Sequence, residues 1–258
     1  MQDLGALARK ITLVLFASQS LASAGFIAAA TLNPIVGEQL SHHAGWAGVP
    51  SAVYLLGSAL SAYVWGILNE KIGRRGGLAA GLATGVVGAG TAFRAIWTQS
   101  FPLFLFAMVL MGIAQAAVQL GRFAAAEVNP PHARGRAISN VVIGGTVGSV
   151  LGPTLVGPAG DISRRLIGDE LGGAYGATLM LFAIAVVVVA VGLRPDPREI
   201  GRAVAAQYPE RTAAGGAVRR MAQILSAPAA RLAVLAMTFG QMVMVLVMVI
   251  TSLHMKNH

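Results

Sequence analysis

The feature that most constrains the fold is a series of long apolar segments in which no charged residue occurs. A bilayer-spanning helix needs about 20 predominantly apolar residues, and runs of this length favour lipid over a water-soluble core. Only 11% of the residues are charged, against about 25% in soluble domains. We therefore predict an all-α polytopic membrane protein with seven spans, the third of them short. They cover residues 11–32, 46–68, 77–93, 101–121, 137–156, 172–193 and 232–253.

The first span could be mistaken for a signal peptide, because Arg9 and Lys10 precede it and Ala22-Ser23-Ala24 resembles a cleavage site. Its charge-free run continues to Gly37, well beyond a signal h-region of about 7–15 residues. We therefore expect a retained helix.

The basic residues predict the orientation, since cytoplasmic loops collect Lys and Arg. With the N-terminus inside, the inner side holds Arg9, Lys10, Lys71, Arg74, Arg75, Arg134, Arg136, Arg194, Arg198, Arg202, Arg211, Arg219, Arg220 and Arg231. The outer side holds only Arg94, Arg164, Arg165 and Lys256. This predicts a multi-pass protein of the cell (inner) membrane with a cytoplasmic N-terminus. It also accounts for the net charge of +9 without a nucleic-acid partner. Four aromatic residues are expected at membrane interfaces: Trp46, Trp97 and Tyr175 outside, and Trp65 inside.

The connections are short except for residues 194–230, which contain Pro195, Pro197, Pro209 and Gly215-Gly216. We predict a six-helix bundle over residues 1–193, a cytoplasmic linker over 194–230 that could hold short amphipathic helices, and one further helix within 231–258. A lone seventh helix has no bundle to pack into. We therefore expect that the second bundle is incomplete in this chain, or that a second chain supplies the other half.

The connection between the second and third spans, residues 66–78, carries the most specific motif. It reads G-I-L-N-E-K-I-G-R-R-G-G-L and resembles the major facilitator superfamily motif G-x-L-a-D-R-x-G-R-[KR]-x-x-L, with Glu70 and Lys71 in place of Asp and Arg. Gly66 and Gly73 suit a tight turn or a close approach. Glu70, Arg74 and Arg75 supply charges that can pair across a closed arrangement and separate when it opens. An ordinary positively charged inner loop is the alternative interpretation.

Two further stretches are similar to the same family. The fourth span ends with Glu127 before a Pro-containing Arg-Gly-Arg turn, and by resemblance Glu127 would pair with Arg74. The fifth span carries Gly144, Gly148, Gly152 and Pro153, similar to the G-x-x-x-G-P-x-x-G-G motif of the family's exporters, with Val156 in place of one glycine. Small residues at this spacing also favour plain helix packing, and both interpretations stay open. Antiporters of the family often carry a mid-span Arg four residues before a Gly, but Met108 stands there before Gly112.

Polar residues inside the spans are the candidate substrate contacts, because polar groups in hydrocarbon are costly unless they face a cavity. Gln115, Gln119 and Arg122 share one helix face, and Gln19 and Ser23 are four residues apart. In the resembled fold the first, fourth and seventh helices line the central cavity, which adds Gln241 in a methionine-rich span. Each Gln could instead make an interhelical hydrogen bond, and Arg122 could bind Glu127 or a lipid phosphate at the inner interface.

The resemblance implies a secondary active transporter that works by alternating access in membrane lipid. We expect it to move a small amphipathic or drug-like molecule, with export coupled to an ion gradient and protons as a possible coupling ion. Import of a metabolite is the alternative, and a truncated, non-transporting scaffold or sensor is a third. His254 and His258 have a metal-chelating spacing but lack further ligands, so neither a metal nor a cofactor is expected. No catalytic constellation occurs in the spans, which argues against an enzyme.

Overall fold

The computed structural model describes residues 4–208 and 226–256, and all regular structure in these ranges is helical. The helices are α1 Leu4–Ser41, α2 Val49–Trp97, α3 Phe101–Gln119, α4 Gly121–Glu127, α5 Arg134–Ile167, α6 Gly172–Gly192, α7 Pro197–Gln207 and α8 Pro228–Lys256, with a 3₁₀ turn at Ala44–Trp46. Within the described residues, six helical stretches are long and apolar enough to cross a membrane, α3 and α4 counting as one. The predicted all-α membrane fold is confirmed.

Helix α2 holds the second and third predicted spans without a loop between them. Its 49 residues would extend roughly 70 Å, more than twice the hydrocarbon thickness of about 30 Å. The helix is broken at Gly73, where φ is 81° and ψ is 166°. Gly57 and Gly88 both lie against α3 near Val109 and Met111, so the chain folds back at the break. The expectation of a connecting loop over residues 66–78 was wrong, because one glycine in the left-handed region makes the turn.

Helix α5 runs past its predicted end at residue 156 to Ile167, through Pro153 and Pro158. It stops at Gly168, whose φ of 77° is left-handed and whose N–H bonds the carbonyl of Arg164 at 3.1 Å. The last turns carry Asp161, Arg164 and Arg165. The helix therefore extends beyond the apolar stretch and ends at a glycine C-cap.

The core lies between four helices: α1 and α6 pack against each other, and both also contact α2 and α3. Phe26 and Phe182 are 4.7 Å apart between ring centroids, and Phe104 meets Tyr175 edge to face at 5.6 Å. The Tyr175 hydroxyl donates to Asn33 Oδ1 at 2.7 Å. Tyr175 is fully buried, and Trp65 is 6% exposed and donates to the Ile113 carbonyl at 2.9 Å. Both side chains thus pack inside the bundle, and their expected depth at the membrane interfaces stays a prediction.

The chain divides into two units, Met1–Gln207 and Tyr208–His258. The first unit passes the expected bundle boundary at residue 193 because α7 packs on the bundle through Ile200 and Val204, each 4% exposed. An amphipathic helix expected in the linker is therefore present at its start. The second unit contains α8, which covers the seventh predicted span.

Candidate functional site

A groove of about 440 Å³ lies between α1, α3, α4 and α5. Five of the six polar residues selected from the sequence line it: Gln19, Ser23, Gln115, Gln119 and Arg122. Helix α5 adds Thr146 and Ser149, which are exposed and leave this side of the groove open. Offsets of three and four residues on each helix bring these side chains to one face.

The walls of the groove are mixed in character. Phe26, Ile27, Val141 and Val142 supply apolar surface. Gln19 Nε2 donates to Ser23 Oγ at 3.3 Å. By contrast, the side-chain amides of Gln115 and Gln119 make no hydrogen bond within the described residues. The interhelical bond left open for these glutamines is therefore not observed, and their polar groups are free to meet a ligand. Gln241 lies on α8 in the second unit, so its place in a cavity stays a prediction.

Among the described residues that line the groove, Arg122 is the only charged one. Its Nε is buried and has no hydrogen-bond partner in the described part of the chain. Its guanidinium carbon lies 5.1 Å from the centroid of the Phe123 ring. The alternative pairing of Arg122 with Glu127 is not observed among the described residues, and the Glu127 carboxylate instead accepts from Arg74, as the resemblance implied. Arg122 thus faces the groove without a counter-ion among the described residues.

A second arrangement, the end network, lies where α2 folds back at Gly73. The Arg74 guanidinium donates to both Glu127 oxygens, with Nε to Oε2 at 3.0 Å. Such a bidentate pair fixes orientation as well as charge. This turn lies between two spans, and the hydrogen bond to Glu127 raises the pKa of Arg74 above its ordinary value. The pair joins α2 to α4.

Asp196 is a member of the end network that the sequence reasoning missed. Its carboxylate accepts the backbone N–H groups of Arg74 and Arg75, at 3.3 and 3.1 Å, and that of Arg198 at 2.9 Å. It therefore caps both the second half of α2 and the start of α7. An Asp directly before Pro197 is a usual N-cap pattern and was the available signal. The Arg198 guanidinium also donates to the Glu70 carbonyl.

The other residues of the 66–78 motif have fewer contacts. The side chains of Glu70 and Lys71 are exposed, and neither makes a hydrogen bond or ion pair within the described residues. Gly66 lies inside α2 with no atom within 4 Å of the position of an added Cβ, so neither a turn nor a close approach explains it. Gly73 has a positive φ and lies against the Asp196 carboxylate. The motif glycine that shapes the turn is Gly73.

The glycine stripe of α5 packs against α1. A Cβ added to Gly144 would lie 2.7 Å from the Phe16 carbonyl, and one added to Gly152 would lie 2.7 Å from that of Ala24. At Gly148 it would collide with the Ser20 carbonyl. These contacts are with backbone, which cannot give way as a side chain can. Pro153 is exposed on the opposite side of the stripe.

No group of three or more His, Cys, Asp or Glu that could hold a metal ion occurs in the part of the chain that the structure describes. His42 and His43 are exposed after α1. The side chain of His254 and all of His258 lie outside the described residues. Met108, at the position where antiporters often carry an arginine, is buried in the apolar core.

Known proteins support the motif assignment. The family model described as Major Facilitator Superfamily matches residues 15–257. The chain is 31% identical to the uncharacterized MFS-type transporter YdeG of Bacillus subtilis over 97% of its length, and 27% identical to YddS of the same organism, also over 97%. It is 29% identical to the riboflavin transporter RfnT of Brucella anthropi over 75% of its length. The chain spans 58%, 57% and 49% of these three relatives. No solved structure matches. With the motif, the helices and the family model in agreement, the chain belongs to the Major Facilitator Superfamily.

Proposed function

We propose that the chain forms the substrate-binding half of a secondary transporter that exports a small amphipathic molecule by alternating access. The observation that carries this proposal is the convergence of Gln19, Gln115, Gln119 and Arg122 on one open groove of about 440 Å³. A groove of this size falls within the usual range for small-ligand sites, about 300–1,000 Å³. Apolar walls with a few converging polar groups suit an amphipathic cargo.

The proposal includes a second helical bundle that closes the open side of the groove, since alternating access requires two bodies that rock about a shared site. That bundle would come from a longer form of the chain or from a second chain. The membrane is the cell (inner) membrane, with the Arg74 end of the bundle in the cytoplasm. The positive-inside rule supports this orientation.

Coupling to an ion gradient is part of the proposal, with protons as the coupling ion. No carboxylate occurs among the described residues that line the groove, and Met108 replaces the arginine frequent in antiporters. A proton-binding group therefore has to lie outside this groove. Collapse of the pH gradient with an ionophore tests the coupling: undiminished transport would exclude protons as the driving ion.

The second candidate function is uptake of a metabolite by the same machinery. The relative that carries the name riboflavin transporter favours a metabolite as cargo. Direction distinguishes the two candidates: cells that produce the protein accumulate less of an exported probe and more of an imported one.

Transport by inside-out and right-side-out vesicles is the test of both. Three fluorescent probes serve as cargo: 1-naphthoate, 1-naphthylmethylammonium and riboflavin. The chain alone is compared with the chain extended by any coding sequence beyond His258. We expect Gln115→Ala to reduce transport of the accepted probe at unchanged expression, and Gln39→Ala, exposed outside the groove, to leave it intact. Equal loss of transport and expression in Gln115→Ala would instead favour a packing role.

A further inference from the structure

The charge of the groove indicates the chemical class of its ligand, on the condition that the groove is the substrate site proposed above. Arg122 contributes a positive charge, and the described lining residues contribute no negative one. The guanidinium has a buried Nε for which residues 4–208 and 226–256 supply no hydrogen-bond partner. Leaving such a group unpaired in a low-dielectric setting is unfavourable, so a bound anion would satisfy what the protein leaves unsatisfied.

A second pocket of about 570 Å³ continues the groove toward the end of the bundle that carries Arg9. On α1, Phe16 lines this entrance pocket and Gln19 lines the groove, while on α5 the corresponding residues are Ile143 and Val142. The two cavities therefore adjoin along the face formed by α1 and α5.

The entrance pocket has the same sign of charge. Arg9 and Arg136 line it, together with Asn129 and Asn140, and again no described lining residue is a carboxylate. A cleft lined by one sign of charge raises the local concentration of ligands of the opposite sign. Three arginines thus follow one path, from the mouth at Arg9 and Arg136 to Arg122 inside.

The position of Arg122 suits a ligand in the groove better than a partner at the membrane surface. It lies five residues before Glu127, or about 7.5 Å along the helix axis, and long helical side chains lean back toward the helix N-terminus. Arg122 lines the groove together with Gln115 and Gln119, whereas Glu127 is held by Arg74.

We propose that the groove takes an amphipathic organic anion whose carboxylate or phosphate pairs with Arg122. Its apolar body would lie against Phe26, Ile27 and Val142, and its other polar groups would bond Gln115 and Gln119. Arginine fits this role because its planar fork matches a carboxylate or a phosphate with two parallel bonds. An organic cation would meet three like charges along the path and no carboxylate among the described lining residues.

Binding of two probes of similar shape and opposite charge tests the proposal. The purified chain in phosphatidylcholine nanodiscs is titrated with 1-naphthoate and with 1-naphthylmethylammonium. We expect tighter binding of 1-naphthoate. Arg122→Gln, which keeps a polar side chain of reduced length, weakens it by about ten- to a hundredfold, the range for a lost charge-assisted hydrogen bond. Arg122→Lys retains most of the preference for the anion. Arg164→Gln removes an exposed arginine in the last turn of α5, outside both cavities, and leaves binding unchanged.

Equal or tighter binding of the ammonium probe would overturn the proposal, as would unchanged 1-naphthoate binding in Arg122→Gln. A lipid headgroup could supply the same anion, so the titration is repeated with phosphatidylglycerol in the nanodisc. If 1-naphthoate binding is lost when phosphatidylglycerol is present, and this lipid protects Arg122 from a guanidine-specific reagent, the anion belongs to a lipid and the substrate assignment fails. Anion binding without transport refutes the proposed function alone, whereas transport of the ammonium probe refutes only the anion preference.

Discussion

The guanidinium of Arg74 and the carboxylate of Glu127 form a two-point ion pair that ties the fold-back of α2 to the end of α4. Their side chains are 21% and 36% exposed, so solvent screens the pair only in part. In the sequence they are 53 residues apart. The pair therefore makes a long-range connection at the end of the bundle where the charges of the 66–78 motif lie, and its strength can be measured.

We expect Arg74→Ala and Glu127→Ala each to lower the stability of the chain, and the double variant to lower it by less than their sum. The coupling is expected at about 1 kcal/mol, because the pair is bidentate and partly buried but still reaches solvent. Thermal unfolding in detergent, followed by tryptophan fluorescence, measures all three variants.

The control is the pair Arg164 and Glu170, whose side chains are 57% and 54% exposed at the other end of the bundle. Its coupling is expected to be near zero because exposed ion pairs contribute little. Additive effects at Arg74 and Glu127 would show that their contact contributes no net stability.

The Asp196 cap gives a second prediction. Asp196→Ala removes the acceptor of three backbone N–H groups, those of Arg74, Arg75 and Arg198. Loss of an N-cap costs about 0.5–2 kcal/mol, so we expect faster amide exchange at the start of the second half of α2 and in α7. Hydrogen–deuterium exchange with mass spectrometry measures both segments.

Glu199→Ala is the matched control for Asp196→Ala. Glu199 is an exposed carboxylate in the first turn of α7, and within the described residues its side chain makes no hydrogen bond. Its removal is expected to leave exchange in α2 unchanged. If the two variants have the same exchange pattern, the carboxylate of Asp196 does not cap α2.

The polar residues of the groove could be selected from the sequence because each is a local exception. Gln115, Gln119 and Arg122 stand in otherwise apolar runs at helical spacing, and the cost of a polar group in hydrocarbon identifies them. Asp196 could not be found in this way. It lies in a polar segment where a carboxylate is ordinary, and its contacts depend on α7 folding back onto α2.

Backbone conformation and side-chain burial could not be predicted from the sequence either. The motif glycines Gly66 and Gly73 look equivalent in the pattern, but only Gly73 adopts a positive φ. Trp65 and Tyr175 were expected at interfaces from their position along the spans, yet both are buried. Which face of a uniformly apolar helix meets its neighbours is decided by shape, and hydropathy does not record it.

The α5 glycine stripe gives a third prediction. In Gly148→Ala the new methyl group meets the Ser20 carbonyl and the Ala24 backbone nitrogen, so α1 and α5 have to separate. Overpacking of this kind costs about 1–3 kcal/mol. We expect a lower unfolding temperature and less monodisperse protein in fluorescence-detected size-exclusion chromatography.

Gly157 lies on the same helix and has no atom within 4 Å of an added Cβ. Gly157→Ala is therefore expected to be neutral, or stabilising by up to about 1 kcal/mol through helix propensity. A Gly148→Ala variant as stable as Gly157→Ala would mean that α1 and α5 are not in close contact.

The orientation of the bundle gives the fourth prediction, and the absence of cysteine from the chain makes it directly testable. Lys71 and Thr98 are exposed near opposite ends of the second half of α2, so we expect them on opposite sides of the membrane. With the Arg74 end in the cytoplasm, a membrane-impermeant maleimide labels Thr98→Cys in intact cells. It labels Lys71→Cys only after the membrane is permeabilised. The reverse pattern would place the basic end outside, against the positive-inside rule, and would reverse the side on which the pocket at Arg9 and Arg136 opens.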